Sequence, residues 1–469
     1  MSIADEGGFD MVMEVAQTLL LEIAGSVNIP TESTTLTFQG ITGNLTTEAL
    51  IDQVTLGAFP NLNVGLDVSG TTFDATSVPV FLSPVPNSLR TVTLSGNVSA
   101  TVPLGVSGFA LGANFDQAKL PVVSQDVFNS VLAAPLIQFL LAETFLIDPT
   151  GALYSQTVQN IRSALTSALQ APFVAVGSQI VFDASSLRGV GTGLTNFDFS
   201  FGNQSIFLQF TFGGAGGAAS AISRSNLLRT PDGTPVDRAD LIISNACILR
   251  DFIKPTLMLP PGAGGLGLTA GGFAPPVLFG GAPLAWSGSA PFPAAVTGPI
   301  SSASIDSVVV GIDGANFRIL LNATANGVAG SFSVSASIDI TLSLGVSING
   351  TTVTFTLTPV GSPVVSSNVS IAWWVYVLGF VTGGFTLDVI IAVANAFGGN
   401  LANSIISGSV AGAIPSITIT FPLPPGLPTL SVRSTSLSQT DAPPSAVLIA
   451  GFFFLNLPFP QNDIIVDVI

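Results

Sequence analysis

The chain has 469 residues, of which 48% are hydrophobic and only 8% charged, with a formal net charge of −16. Low hydrophobicity and high charge are what keep a chain disordered, so this one folds, and its length suits two domains better than one core. Two lysines (Lys119, Lys254) and few arginines leave no basic cluster for nucleic acid or for electrostatic docking on anionic lipid.

The N-terminus is acidic and lacks a basic stretch before an apolar run, so no Sec-type leader is expected. The expected location is the cytoplasm, or outside by another export route. From Phe9 an apolar stripe (Phe9, Val12, Met13, Ala16, Leu20, Ile23) follows helical spacing, with Asp10, Glu14 and Glu22 opposite. The spacing predicts an amphipathic helix with its acids placed to suit the helix dipole. Strands follow. Leu62, Val64, Leu66 and Val68 alternate with polar residues, as do Val92, Leu94, Val98, Ala100, Val102, Leu104 and Val106.

A second helix is predicted over 153–169, ahead of Pro172, and closing strands over 180–182 and 206–212. Beyond a Gly/Ala-rich stretch (213–219), a new stripe runs through Ile242, Ile243, Ala246, Leu249 and Ile253, predicting a helix that ends near Pro255. Residues 259–299, dense in Gly, Pro and Ala, predict an extended loop ordered by contact, or a flap. From Phe332 to Ile348 apolar residues hold every even position, and Asn349-Gly350 then signals a hairpin. Turning there pairs Val346 with Val353, Leu344 with Phe355 and Leu342 with Leu357. Residues 371–387 are uncharged, but glycines and Asp388 favour a buried strand–turn–helix over a membrane span. A last helix is predicted over 387–406, then strands over 417–421 and 447–454.

The two stripes align. Placing Asp10 on Asp240 sets Val12 on Ile242, Met13 on Ile243, Ala16 on Ala246, Leu19 on Leu249 and Ile23 on Ile253. Each stripe precedes a long strand-rich stretch, a helix and closing strands, which reads as an internal duplication with domains at 1–230 and 231–469.

Chemistry is hard to find. There is no histidine, which removes the commonest general base and metal ligand and every Ser-His-Asp arrangement. Neither lysine has a serine three residues before it; Asp116 and Asp251 stand there instead. Gly262, Gly264 and Gly267 match a dinucleotide pattern but lie in the Gly/Pro tract, not between a strand and a helix. Cys247, the lone cysteine, falls within an apolar stripe and reads as an inert buried thiol. Asp10 and Asp240 read as helix-start residues. The expectation is a protein that is not an enzyme and has no cofactor or metal.

Gly8-Phe9-Asp10-Met11-Val12, of the form G-[FW]-D-x-V before a long run of strands, resembles the opening of tubular lipid-binding (TULIP) proteins. The arrangement resembles in particular the bacterial branch that includes the OrfX-type proteins of clostridial neurotoxin clusters. Residues 239–250 resemble the same opening in a second copy. The resemblance implies a β-dominated α+β fold: two tandem units, each a curved antiparallel sheet wrapped around a long helix, with an apolar groove for acyl chains. It also implies non-catalytic binding or transport of lipid-like molecules. The residues expected to face the groove are Phe9, Val12, Met13, Ala16, Leu20, Ile242, Ile243, Ala246, Leu249 and Ile253. Partners would be a lipid or other apolar small molecule and a further protein, with membrane contact open but no transmembrane span. The rival reading is a structural or interaction protein (a toxin-complex partner, adhesin or tail-fibre component), which Ser/Thr-rich wet strand faces also suit.

Overall fold

A computed structural model describes residues 9–24, 29–119, 121–185, 193–202, 204–212, 239–244, 247–260, 266–274, 283–291, 300–313, 316–327, 330, 332–349, 352–361, 364–371, 417–420, 432–439 and 462–468. The fold is β-dominated, as composition and alternation predict.

Strands of the first half are β1 (Met11–Ala16), β2 (Glu32–Phe38), β3 (Ile41–Thr47), β4 (Leu50–Leu56), β5 (Asn61–Asp67), β6 (Thr72–Ser77), β7 (Thr91–Thr93), β8 (Asn97–Ser107), β9 (Ala110–Asn114), β10 (Val122–Val123), β11 (Ser178–Asp183), β12 (Asn196–Gly202) and β13 (Ser205–Thr211). Those of the second half are β14 (Ala239–Ile243), β15 (Leu284–Pro291), β16 (Ile300–Asp313), β17 (Asn316–Gly327), β18 (Phe332–Asn349), β19 (Thr352–Pro359), β20 (Val364–Ile371), β21 (Ile417–Thr420), β22 (Val432–Gln439) and β23 (Asn462–Val468). Helices are α1 (Gln17–Ala24), α2 (Gln125–Ala133), α3 (Pro135–Ile147), α4 (Ala152–Ala168), α5 (Ala171–Val176) and α6 (Lys254–Met258).

Four sheets result. One runs β11-β9-β8-β5-β4, a second β2-β3-β6-β7, a third β15-β16-β17-β18-β19-β21, and a fourth β12-β13-β1-β14-β23-β22. The fourth draws strands from both halves and reads alike outward from its centre, where Val12 stands opposite Ile242. These are the residues that the sequence alignment makes equivalent.

Both opening stripes are corrected here. Phe9 to Ala16 is not helical: β1 occupies it, and only Gln17–Ala24 forms a helix. Residues 239–243 are likewise strand, and the helical segment starts at Cys247, as a π turn (Ile248–Ile253) that continues into α6. The physical reason is double burial. Every residue of β1 is buried, Glu14 included, so neither face is marked by exposure to water, and the apolar residues at 9, 12, 13 and 16 satisfy a helical stripe as easily as a strand. Each of the two stripes is therefore a strand followed by a helical segment. Pro255 opens α6 rather than ending the segment, which suits a residue with no amide to donate.

Other expectations fare differently. The helix predicted over 153–169 is α4, whose buried line of Thr157, Ile161, Leu165 and Ala168 explains its periodicity. α2 and α3 were not legible as stripes, although Ser124 caps α2 by accepting the Val127 amide and Pro135 opens α3. The strand over 332–348 is β18, and it pairs with β19 as a hairpin. The register differs from expectation by two residues: Val346 faces Phe355, Leu344 faces Leu357 and Ile348 faces Val353. A slip of two keeps every side chain on its own face, so the apolar pattern cannot choose between the two registers. The predicted helix over 387–406, the strand–turn–helix after Ile371 and the strand over 447–454 lie outside the described residues. A sheet wrapped around a long helix in each half is not established by these elements.

Part of the Gly/Pro-rich segment is ordered by contact, as expected. Leu266 and Leu268 are buried, and their amides donate to the Leu257 carbonyl. Trp286 on β15 is buried against the same segment, its indole N–H donating to the Thr269 carbonyl at 3.0 Å. Gly272 and Gly288 lie so close to the indole that a Cβ at either would overlap it. One hydrophobic cluster runs through both halves, from Met11 to Leu357.

Candidate functional site

Two places stand out: the junction between β1 and β14, and the inner face of β16–β18.

At the junction Asp10 precedes β1 and is buried with Asp251, while Arg250 lies between them. The Arg250 Nη2 sits 2.7 Å from Asp10 Oδ1 and 2.5 Å from Asp251 Oδ2, and Nε donates to Asp251 Oδ1. The other Asp10 oxygen accepts the Phe212 amide at 2.8 Å, and the Asp10 carbonyl accepts that of Ser244. Asp10 thus joins three chain segments, and the helix-start role expected of it is replaced by an ion triad. Burial pulls the Arg250 guanidinium down, but hydrogen bonds and charge from Asp251 and Asp10 outweigh it and hold the group above its ordinary value. Arg250 stays charged at any accessible pH.

Asp10, Cys247 and Asp251 also bring three potential metal-ligand atoms within 4.8 Å of one another. The guanidinium already supplies the cation between the two carboxylates, so the cluster reads as structural. Burial first, then the Asp10 and Asp251 charges, push the Cys247 thiol well above its usual range. Cys247 should therefore resist iodoacetamide in the native state and become labelled only in step with unfolding, as mass spectrometry across a urea series will show. Prompt native labelling at neutral pH would contradict that burial.

On β16–β18 the inward face is graded. At one end Phe317 faces Leu342; next come Val310, Ile319 and Ile340, then Val308, Leu321 and Ile338. Toward the other end bulk falls away. Ile305, Ala323 and Ala336 form one row, and Ala303, Ala325 and Val334 the next. The opposite face is more polar, with Arg318 paired to Asp339, although Val309 and Leu320 are paired and buried on it. Alanines keep a strand face apolar while withholding volume, and in the sequence they appear within the same alternation as the larger apolar residues.

The residues predicted to line a groove are all buried where described. Val12 and Ala16 lie on one face of β1 and Met13 on the other, by strand alternation. Met13 joins the main core, while Phe9 and Val12 pack with Phe207 in a separate small cluster. Ile242 and Ile243 point to opposite faces of β14, Leu20 sits on α1, and Leu249 and Ile253 lie in the π turn. Ala246 falls outside the described residues. The ten therefore do not share one helical face.

The class of protein defined so far is a β-dominated α+β chain with a continuous apolar interior. Among solved structures, its fold is similar to P47 from Clostridium botulinum A2 (12% identity, 98% of this chain and 97% of that one, TM-score 0.45). It is also similar to P47 of Clostridium botulinum E1 (10% identity, 98% of each chain, TM-score 0.47) and to a lipopolysaccharide binding protein (10% identity, 98% of each chain, TM-score 0.31). No family model matches the chain, and no curated protein does.

Proposed function

We propose that this protein binds lipid-like apolar molecules non-covalently within its interior and is not a catalyst. The observation that carries the reading is the graded face of β16–β18. Rows built on Ala323, Ala325 and Ala336 offer apolar surface without bulk, beside rows of Ile, Leu and Phe that fill their own space. An alkyl chain laid along the alanines gains about 0.8 kcal/mol per methylene removed from water. The absence of histidine and the buried, protonated thiol support a binding rather than a chemical role. The like order of strands outward from Val12 and Ile242 supports two related units around a shared centre.

Denaturing extraction of the purified chain, followed by lipid mass spectrometry, is expected to recover a stoichiometric apolar ligand. Ala323→Trp should lower the lipid recovered per chain by more than half, with little change in the unfolding midpoint. A lipid-free extract, together with a loss of about 1–3 kcal/mol from overpacking in Ala323→Trp, would mean that protein atoms already fill the space. That outcome would favour a structural or interaction role.

A further inference from the structure

α3 is apolar on both sides. Leu136, Ile137, Leu140 and Leu141 are buried in the core, yet the opposite side and the C-terminal turn present Phe139, Phe145, Leu146 and Ile147 to water, the last three 55%, 74% and 72% exposed. Beside α3 lies the 3-10 turn Val80–Leu82. Leu82 anchors this turn in the core, and Val80 (88% exposed) and Phe81 project outward. Arg90 fixes the loop that follows, donating to the carbonyls of Ser83 and Val85. Apolar side chains gathered this way on a rigid surface mark a contact face.

Charge selects what covers it. Neither α3 nor the Val80–Leu82 turn contains a lysine or arginine, Glu143 and Asp148 border the face, and the guanidinium of Arg90 beside the turn is engaged by the Ser83 and Val85 carbonyls. An anionic bilayer gains nothing there and is repelled by a chain of net charge −16; a second copy would bring the same −16 against it. An uncharged surface with accessible hydrocarbon meets neither penalty. No single described helix is long and apolar enough to cross a membrane, and α3, 13 residues long and set at 78° to α2, can lie along an interface. We propose that α3 and the Val80–Leu82 turn dock the protein on a zwitterionic lipid surface. The proposal stands on surface exposure and charge and is independent of the interior site.

The test is co-sedimentation of the full chain with phosphatidylcholine vesicles, with and without added phosphatidylglycerol, alongside a Phe145→Asp/Leu146→Asp variant. The expected result is partitioning onto phosphatidylcholine alone, no gain from the anionic lipid, and about tenfold or greater weakening in the variant with its thermal unfolding unchanged. Should that variant unfold, Val80→Asp/Phe81→Asp tests the same face from outside α3. No sedimentation with phosphatidylcholine, equal binding by a folded variant, or binding only when phosphatidylglycerol is present would each overturn the proposal. So would a dimer by light scattering that the substitutions dissolve without any vesicle binding. Lipid recovered from the interior alongside failed vesicle binding would overturn this inference and leave the interior reading intact.

Discussion

Replacing Arg250 with methionine should lower the stability of the fold by about 3–5 kcal/mol, because it strands two buried carboxylates beside each other. Asp10 and Asp251 are almost wholly shielded, and the guanidinium is the cation that both of them touch. Urea unfolding followed by circular dichroism will read the loss as a lower midpoint. The decisive comparison is Asp10→Asn/Arg250→Met/Asp251→Asn. With the carboxylates neutral and the Phe212 amide still accepted by an amide oxygen at position 10, most of the loss should be recovered. A single Arg250→Met change costing under about 1 kcal/mol would show that the triad does not hold the junction together. Arg250→Lys should fall between, since an ammonium cannot reproduce the fork that serves Asp251 through Nε and Nη2.

Trp286→Ala is expected to be comparably severe, at about 3–5 kcal/mol. The indole is among the largest fully buried side chains, and its N–H satisfies the Thr269 carbonyl, so truncation removes packing and strands an acceptor together. The two glycines shaped around the ring leave a void that they cannot refill. Limited proteolysis should then cut within residues 259–299 faster than in the unchanged protein. A wild-type cleavage rate would mean that the segment is held by something other than the indole.

What the sequence made legible was whatever depends on one face at a time. β18 announced itself because water lies on its odd-numbered side, and α4 because only one of its sides is covered. β1 and β14 misled for the opposite reason. With both faces buried, Asp10 and Glu14 are buried too and do not mark a wet side, and Phe9, Val12, Met13 and Ala16 then fit a helix as well as a strand. The alignment of Asp10 with Asp240 does not depend on element type, since it rests on positions. Even so, it pointed to two similar ends, whereas only one of the two aspartates has a described role, in the triad with Arg250. Arg250 itself carried no signal: its partners lie at residue 251 and at residue 10, and no local pattern reports a contact of that span. The alanine rows were visible as alternation, but their meaning depends on which strands stand side by side, and this the register alone supplies.

The fourth sheet imposes an order on the birth of the molecule. Its central strand β1 leaves the ribosome well before β13 and completes that pairing only after Phe210 has been made, and β14 pairs along its far edge with β23, at residues 462–468. Until synthesis passes that point, β14 presents a bare edge flanked by Ile242 and Ile243, the kind of edge that recruits strands from other chains. The growing chain therefore depends on β23 for solubility, and fragments stopped short of Asn462 should gather into aggregates however well their earlier sheets have formed.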